Sequence, residues 1–231
     1  LPRASVASIV RKLVLSRPAI TSCLLAGVIN YSALARYLMS EVKELSGRDD
    51  VTLDSIKVAL TRVARSLRSE FRGFEDRVLY VIAKSALRLE TDLVVVTVSR
   101  EYGHARLSEL VRRLRNARFL QITQGVTGLT IVLASESLNE LREVLGDSAI
   151  LNVLNDQSAI VLISPKDIIY VPGVVAYITN LLAWRGLNIT QIISCYLDTI
   201  LIMSREDALS AYVVLEELIR NARKFISKSR T

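Results

Sequence analysis

Histidine and cysteine are nearly missing from this chain: 231 residues carry one His and two Cys. His104 stands alone, and Cys23 and Cys195 belong to no Cys-x-x-Cys or His-x-x-x-His spacing, so a zinc site has nothing to build on. Two isolated cysteines are no disulfide framework and point to a reduced, cytoplasmic compartment. The Gly-x-x-x-x-Gly-Lys and Gly-x-Gly-x-x-Gly loops that cradle phosphates are also absent. With no nucleophile beside a base, the expectation is a protein that is not an enzyme, with no catalytic residue, metal or cofactor. His104 falls near an expected helix start, where a surface or capping role competes with a catalytic one. No apolar run reaches the roughly 18–20 residues that span a bilayer. The charge-free stretch Pro18 to Ala35 is interrupted by Thr21, Ser22, Gly27, Asn30 and Ser32, so no membrane partner is expected. Leu1 to Ala4 carry no targeting signature.

What is present is apolar content of 51% and a net charge of +7 that is unevenly spread. Residues 1–90 hold 15 Lys+Arg against 9 Asp+Glu, whereas residues 91–231 hold 15 against 14. A basic excess confined to one segment is either ordinary surface charge or the footprint of a polyanionic partner such as DNA.

The first part reads as helices. Val6, Ile9, Val10, Leu13 and Val14 form a stripe that stops before Arg17-Pro18. Pro18 then opens a helix over Ala19 to Ala26, closed by Gly27. A third helix runs over Ile29 to Leu45, with Leu34, Leu38, Val42 and Leu45 on one face. Thr52 caps a fourth, striped by Leu53, Ile56, Leu60, Val63 and Leu67. Off that stripe Lys57, Thr61, Arg65, Arg68 and Arg72 fall at helical steps, putting a hydroxyl and four cations on one face. Short helices joined by tight turns, with Ser32 to Leu38 ahead of a basic helix, resemble a helix-turn-helix or winged-helix module. The five residues are the candidate nucleic-acid contacts; the competing reading is a solvated face of a helical bundle.

Phe74 to Lys84 reads as a connecting helix. Leu87, Leu89, Thr91 and Leu93 alternate with charged residues and lead into Val94 to Val96, which fits one long or bent strand or a hairpin of two. A helix at Ala105 to Asn116, strands at Phe119 to Gly125 and Leu129 to Ala134, and a helix at Leu138 to Leu145 follow. The same order returns later: a strand over Ser158 to Ser164, a helix from Val174 to Trp184, a hairpin over Ile189 to Met203 reversing at Leu197-Asp198, and a helix from Glu206 with Ser204 as its cap. At an offset of 70, Gln121-Ile122 falls on Gln191-Ile192 and Leu129 to Leu133 on Thr199 to Met203, so an internal repeat is expected.

The second copy carries a resemblance. Pro172-Gly173-Val174, Gly186-Leu187-Asn188-Ile189, Ile193-Ser194 and Glu206-Asp207-Ala208 resemble an ACT domain of the aspartokinase type. The resemblance covers about the last third of the chain and implies a ferredoxin-like βαββαβ unit that senses amino acids. In the first copy Tyr102-Gly103-His104-Ala105 replaces the Pro-Gly-Val turn and Ala117-Arg118-Phe119-Leu120 replaces Gly-Leu-Asn-Ile, so the second copy is the better ligand candidate. Unpaired N–H groups at a helix start, beside a glycine, can receive a carboxylate. Asn188, expected near that turn, has an amide that donates and accepts. The candidate ligand residues are therefore Val171, Pro172, Gly173, Val174, Asn188 and Ile189; the alternative is a plain turn and strand entry. Asp198 is either a hairpin-turn residue or an ammonium-binding carboxylate contributed from a partner chain.

The expected fold is α+β: an all-α helix-turn-helix-like domain over residues 1–73, a connecting helix and strand over 74–90, a degenerate ACT-like repeat over 91–156 and a second over 157–231. The basic tail Phe225 to Thr231 is a poor fourth strand for the second repeat. The surplus run Leu87 to Leu93 could supply it, from the same chain or a second one, which would join the repeats into one unit and make that unit a homodimer interface. The expected function is a regulator that binds an amino acid or similar metabolite and acts on DNA, or else a sensing subunit for a protein partner.

Overall fold

The computed structural model describes residues 5–228; Leu1 to Ala4 and the last three residues of the basic tail lie outside it. Contacts divide the chain into two compact units, Leu1–Phe74 and Glu75–Thr231.

The first unit is built from α1 (Val6–Leu15), α2 (Pro18–Ala26), α3 (Tyr31–Ser46) and α4 (Leu53–Glu70). Local chemistry fixes their ends. The Ser5 hydroxyl accepts the Ser8 N–H, Asn30 accepts from Ser32 and Ala33, and Thr52 forms a reciprocal capping box with Ser55. Gly27 and Gly47 close α2 and α3 in the left-handed region at φ 77° and 60°. Helix α4 packs against α1, α2 and α3, burying Ile56, Leu60, Val63 and Leu67 in one core with Val10, Val14, Leu24, Leu38 and Val42. Leu45 and Leu53, expected on the buried stripes, are exposed because each lies in an end turn of its helix, beyond that core.

The second unit begins with α5 (Phe74–Lys84) and continues as β1 (Ala86–Ser99), α6 (Arg100–Arg113), β2 (Leu120–Gln124), β3 (Gly128–Ala134), α7 (Leu138–Leu145), β4 (Ile150–Ile163), α8 (Val174–Ala183), β5 (Gln191–Cys195), β6 (Asp198–Ser204) and α9 (Arg205–Lys228). Its six strands form one antiparallel sheet in the order β2-β3-β1-β4-β6-β5. The two long central strands are each used twice. Leu93 to Ser99 of β1 pairs with β3, while Ala86 to Glu90 pairs with Ala159 to Ile163 of β4. Gln157 to Ile163 of β4 pairs with β6, while Ile150 to Gln157 pairs with Leu93 to Val98 of β1. The alternating run from Leu87 thus supplies a fourth strand to the second half from within the chain.

The switch between roles occurs at two bulges. The register shifts between Glu90 and Leu93 and again between Leu93 and Val95, and Asp92 and Asp156 take positive φ values of 58° and 53° there. Strand β4 is twice the length expected, because its first half reads polar: Asn152, Asn155 and Asp156 are exposed.

One sheet face carries α6 and α7 over Val94, Val96, Val98, Leu129, Ile131 and Leu133. The other face is a single apolar layer drawn from both halves, including Leu93, Val95, Val132, Ala159, Ile193, Ile200 and Ile202. The outermost strands β2 and β5 are at opposite ends of the ladder, yet Gln191 Nε2 donates to Thr123 Oγ1 at 3.0 Å and Cys195 Sγ lies 3.8 Å from Gln121 Oε1. The sheet therefore curls over that layer until its edges meet through side chains. Arg223 of α9 secures the entry to β1 by donating to the carbonyls of Ala83 and Ser85 at 2.9 and 3.1 Å.

Candidate ligand turn and basic groove

The hairpins repeat at 70 residues (198 − 128), but the central strands repeat at 64 (157 − 93). The difference of six is a ten-residue connection between β4 and α8, 164–173, offset by a helix four residues shorter (10 against 14). In the first half, β1 ends at Ser99 and α6 starts at Arg100 with no connection at all. Tyr102, Gly103 and His104, expected to form a turn ahead of the helix, sit inside it. Gly103 is buried against Leu129, where a Cβ would meet the Leu129 side chain at 3.0 Å, and His104 is exposed. In the second half, Ile163 and Val174 are separated by a short 3-10 turn over Lys166–Ile169 and then Tyr170 to Gly173.

That connection shapes the candidate ligand turn. Val171 N–H donates to Asp167 O at 3.0 Å, and Gly173 adopts φ 92°, a conformation that side chains with a Cβ rarely take. Tyr177 N–H reaches Gly173 O at 2.8 Å, which is the first bond of α8. Gly173 has no side chain with which to cap the start of α8, and the first turn of the helix holds no acidic residue. The N–H groups of Val174, Val175 and Ala176 are thus the donors a helix start leaves over, at the positive end of its dipole. Val174 is buried, Val171 and Gly173 are half-buried, and Pro172 is exposed. The Tyr177 hydroxyl, one turn along, is raised above its usual pKa by burial and by the nearby Glu75 carboxylate.

Asn188 and Ile189 are not brought to this turn. They follow the far end of α8, after Gly186 at φ 73°, and lead into β5. A ten-residue helix separates the two places by about 15 Å at 1.5 Å per residue. The strand register agrees: Gln191 lies beside Ile202, which pairs with Ala159, whereas the turn follows Ile163 at the other end of β4. Asn188 is exposed and Ile189 half-buried. Arg118, at the position of Asn188 in the first half, is engaged with Glu90, Glu136 and the Thr91 carbonyl at 3.1, 3.3 and 3.0 Å. Asp198 opens β6 directly after the Tyr196-Leu197 reversal.

In the first unit, four of the five candidate nucleic-acid residues converge. Thr61, Arg65, Arg68 and Arg72 line an open groove of ≈ 620 Å³ together with Tyr31, Ala64 and Ser69. Lys57 is not part of it; its ammonium pairs with Asp54 at 2.6 Å. Tyr31 and Ser69 were not among the candidates. Ser69 lies within the basic face and could have been read from spacing, but Tyr31 comes from another helix and left no local signal.

No family model matches the chain, and no curated protein does. Among solved structures, it is similar to the regulatory subunit of aspartate kinase from Thermus flavus, at 16% identity over 60% of this chain and 98% of that one, with a TM-score of 0.49. It is also similar to a C-terminal regulatory domain of aspartate kinase from Porphyromonas gingivalis W83, at 16% identity over 58% of this chain and 96% of that one, with a TM-score of 0.47. A third is the aspartate kinase from Clostridium acetobutylicum, at 12% identity, 59% of this chain and 34% of that one, with a TM-score of 0.48. The chain thus spans nearly the whole of the separate regulatory pieces and about a third of that kinase.

Proposed function

We propose that this protein is a ligand-responsive regulator. It senses an amino acid or similar small metabolite through two ACT-like, ferredoxin-like repeats, residues 91–156 and 157–231, and transmits the signal through a helix-turn-helix-like domain over residues 1–73, joined by 74–90, that acts on DNA. It performs no chemistry of its own and needs no cofactor or metal. The supporting topology is the strand order, in which the long central strands β1 and β4 each serve both halves of the sheet.

The observation that carries the sensing reading is the turn at Val171 to Val174, where a left-handed glycine precedes an uncapped helix start. A carboxylate seated there would be held by backbone N–H groups without any cationic side chain. The first half has no such turn, so there is one seat per chain. An amino acid cannot span the ~15 Å to Asn188 along α8. Asn188 and Ile189 therefore join a ligand site only when a second copy presents them, which ties this reading to a homodimer.

A second output, control of a protein partner without DNA, is favoured by Tyr170 and Trp184. These side chains flank α8 and are 82% and 84% exposed. Thermal-shift titration against the common amino acids tests the sensing reading, which expects a concentration-dependent rise in melting temperature for at least one of them. No response across the panel would remove it.

A further inference from the structure

The groove on the first unit is a concentration of unneutralised charge. Three arginines elsewhere in that unit are paired: Arg11 with Glu70 at 2.6 Å, Arg17 with Glu41 at 2.7 Å and Arg48 with Asp50 at 2.7 Å. Residues 1–74 contain 12 Lys+Arg against 6 Asp+Glu, so pairing leaves cations over. Arg65 and Arg72 form no ion pair or hydrogen bond among the described residues, and both face the groove. Arg68 is committed differently, since its Nη2 donates to Leu24 O at 3.1 Å in the last turn of α2. That bond places the Arg68 guanidinium at the negative end of one helix and holds it in place within the groove lining.

The opposite wall supplies a complementary field. Tyr31 is the first residue of α3, a sixteen-residue helix with no acidic residue in its first turn. The positive end of that dipole therefore adds to the arginines. Hydroxyls of Thr61 and Ser69 also line the groove. The Thr61 hydroxyl donates to Lys57 O at 2.9 Å, so its lone pairs remain as acceptors only. The donors without a partner among the described residues are those of Arg65, Arg72, Ser69 and the Tyr31 hydroxyl, together with the Arg68 N–H groups that Leu24 does not use.

We infer that this groove seats a phosphate oxyanion, and that its source is the backbone of a nucleic acid. Fork-shaped guanidinium donors match the geometry of phosphate oxygens, and a carboxylate-sized anion would need only one of them. The groove is open to solvent and its lining runs from Thr61 to Arg72, an accessible seat for a phosphate of an extended backbone. The inference rests on the DNA-acting half of the proposed function and sharpens it. Contact falls to Arg65, Arg72 and Ser69 beside Tyr31, with Arg68 held in the lining by Leu24 and Lys57 left out.

The test is fluorescence anisotropy of the full chain with duplex DNA across a salt series, repeated with inorganic phosphate and a free nucleotide as competitors. Arg65→Ala with Arg72→Ala should reduce the slope of log affinity against log salt by about two, close to one per lost phosphate contact. Arg62→Ala, an exposed arginine of α4 outside the groove, provides the comparison for loss of net charge alone and should change the slope less. Equal losses from Arg62 and from each groove arginine would overturn the groove while leaving DNA binding in place. Absence of DNA binding by the unmodified chain at low salt would overturn the DNA-acting half itself. Millimolar inorganic phosphate or nucleotide that binds where DNA does not would show a small-molecule seat and overturn the nucleic-acid assignment.

Discussion

Asp92 and Asp156 occupy corresponding places in the two long strands: each takes a left-handed backbone, at φ 58° and 53°, where its strand passes from one half of the sheet to the other. Arg205, the first residue of α9, lies 2.8 Å from the Asp92 carboxylate and 3.9 Å from that of Asp156. One guanidinium thus faces both bulges. Asp is among the few non-glycine residues that tolerate this backbone, which explains its use at both points.

The bulges give a first prediction. Asp156→Gly should be tolerated, because glycine accepts the conformation and only a 3.9 Å ion pair is lost. Asp156→Val should lower stability by about 1–2 kcal/mol, the scale of a side chain forced into the left-handed region. Urea denaturation of the pair measures this; equal midpoints would show that the backbone at residue 156 carries no strain.

Acid should weaken the same joint. The Thr91 hydroxyl, first, and the Arg205 guanidinium, second, hold the Asp92 carboxyl below its ordinary range. A depressed folded-state value means the contribution is complete above the unfolded value of about 3.9 and is lost as pH falls through the folded one. Wild type should exceed Asp92→Asn in melting temperature at neutral pH, with the gap closing below about pH 4. A gap that stays constant or widens on acidification would contradict the assignment.

Gly128 is required by close approach. A Cβ there would stand 2.6 Å from the Val98 carbonyl oxygen, across the β1–β3 ladder, where neither backbone can yield cheaply. Gly128→Ala should cost about 1–3 kcal/mol as overpacking. Gly125→Ala, whose Cβ would sit at an ordinary 3.5 Å from the nearest atom, should cost much less, and chemical denaturation of both variants compares them.

These sites also show what could be read from the letters. Caps and stripes fixed α1 to α4 within a residue or two, because Ser5, Pro18, Gly27 and Thr52 act locally. The first half of β4 was not legible, since its pairing with β1 is long-range and its side chains are largely exposed. The start of α6 was hidden by Gly103, which looks like a turn residue but is small in order to pack under Leu129. The residues of the candidate turn were legible as a local motif. The separation of Asn188 from it was not, because it follows from helix length and strand register together.

Association offers a further check. A ligand site that needs Asn188 from a second copy requires a dimer, so sedimentation should show a monomer–dimer equilibrium shifted toward dimer by the bound amino acid. A monomer independent of concentration and ligand would remove Asn188 and Ile189 from the site.

Calorimetric titration of the responding amino acid into wild type and Gly173→Asn decides whether the turn ahead of α8 seats the ligand. Asn is the side chain that best accepts the backbone of Gly173, so the variant should fold while its bulk blocks approach to the N–H groups of α8. Wild type should give a saturable binding heat, and Gly173→Asn should lose it or weaken at least ten-fold, equal to about 1.4 kcal/mol. Unchanged affinity in a folded variant would place the ligand elsewhere than at the start of α8.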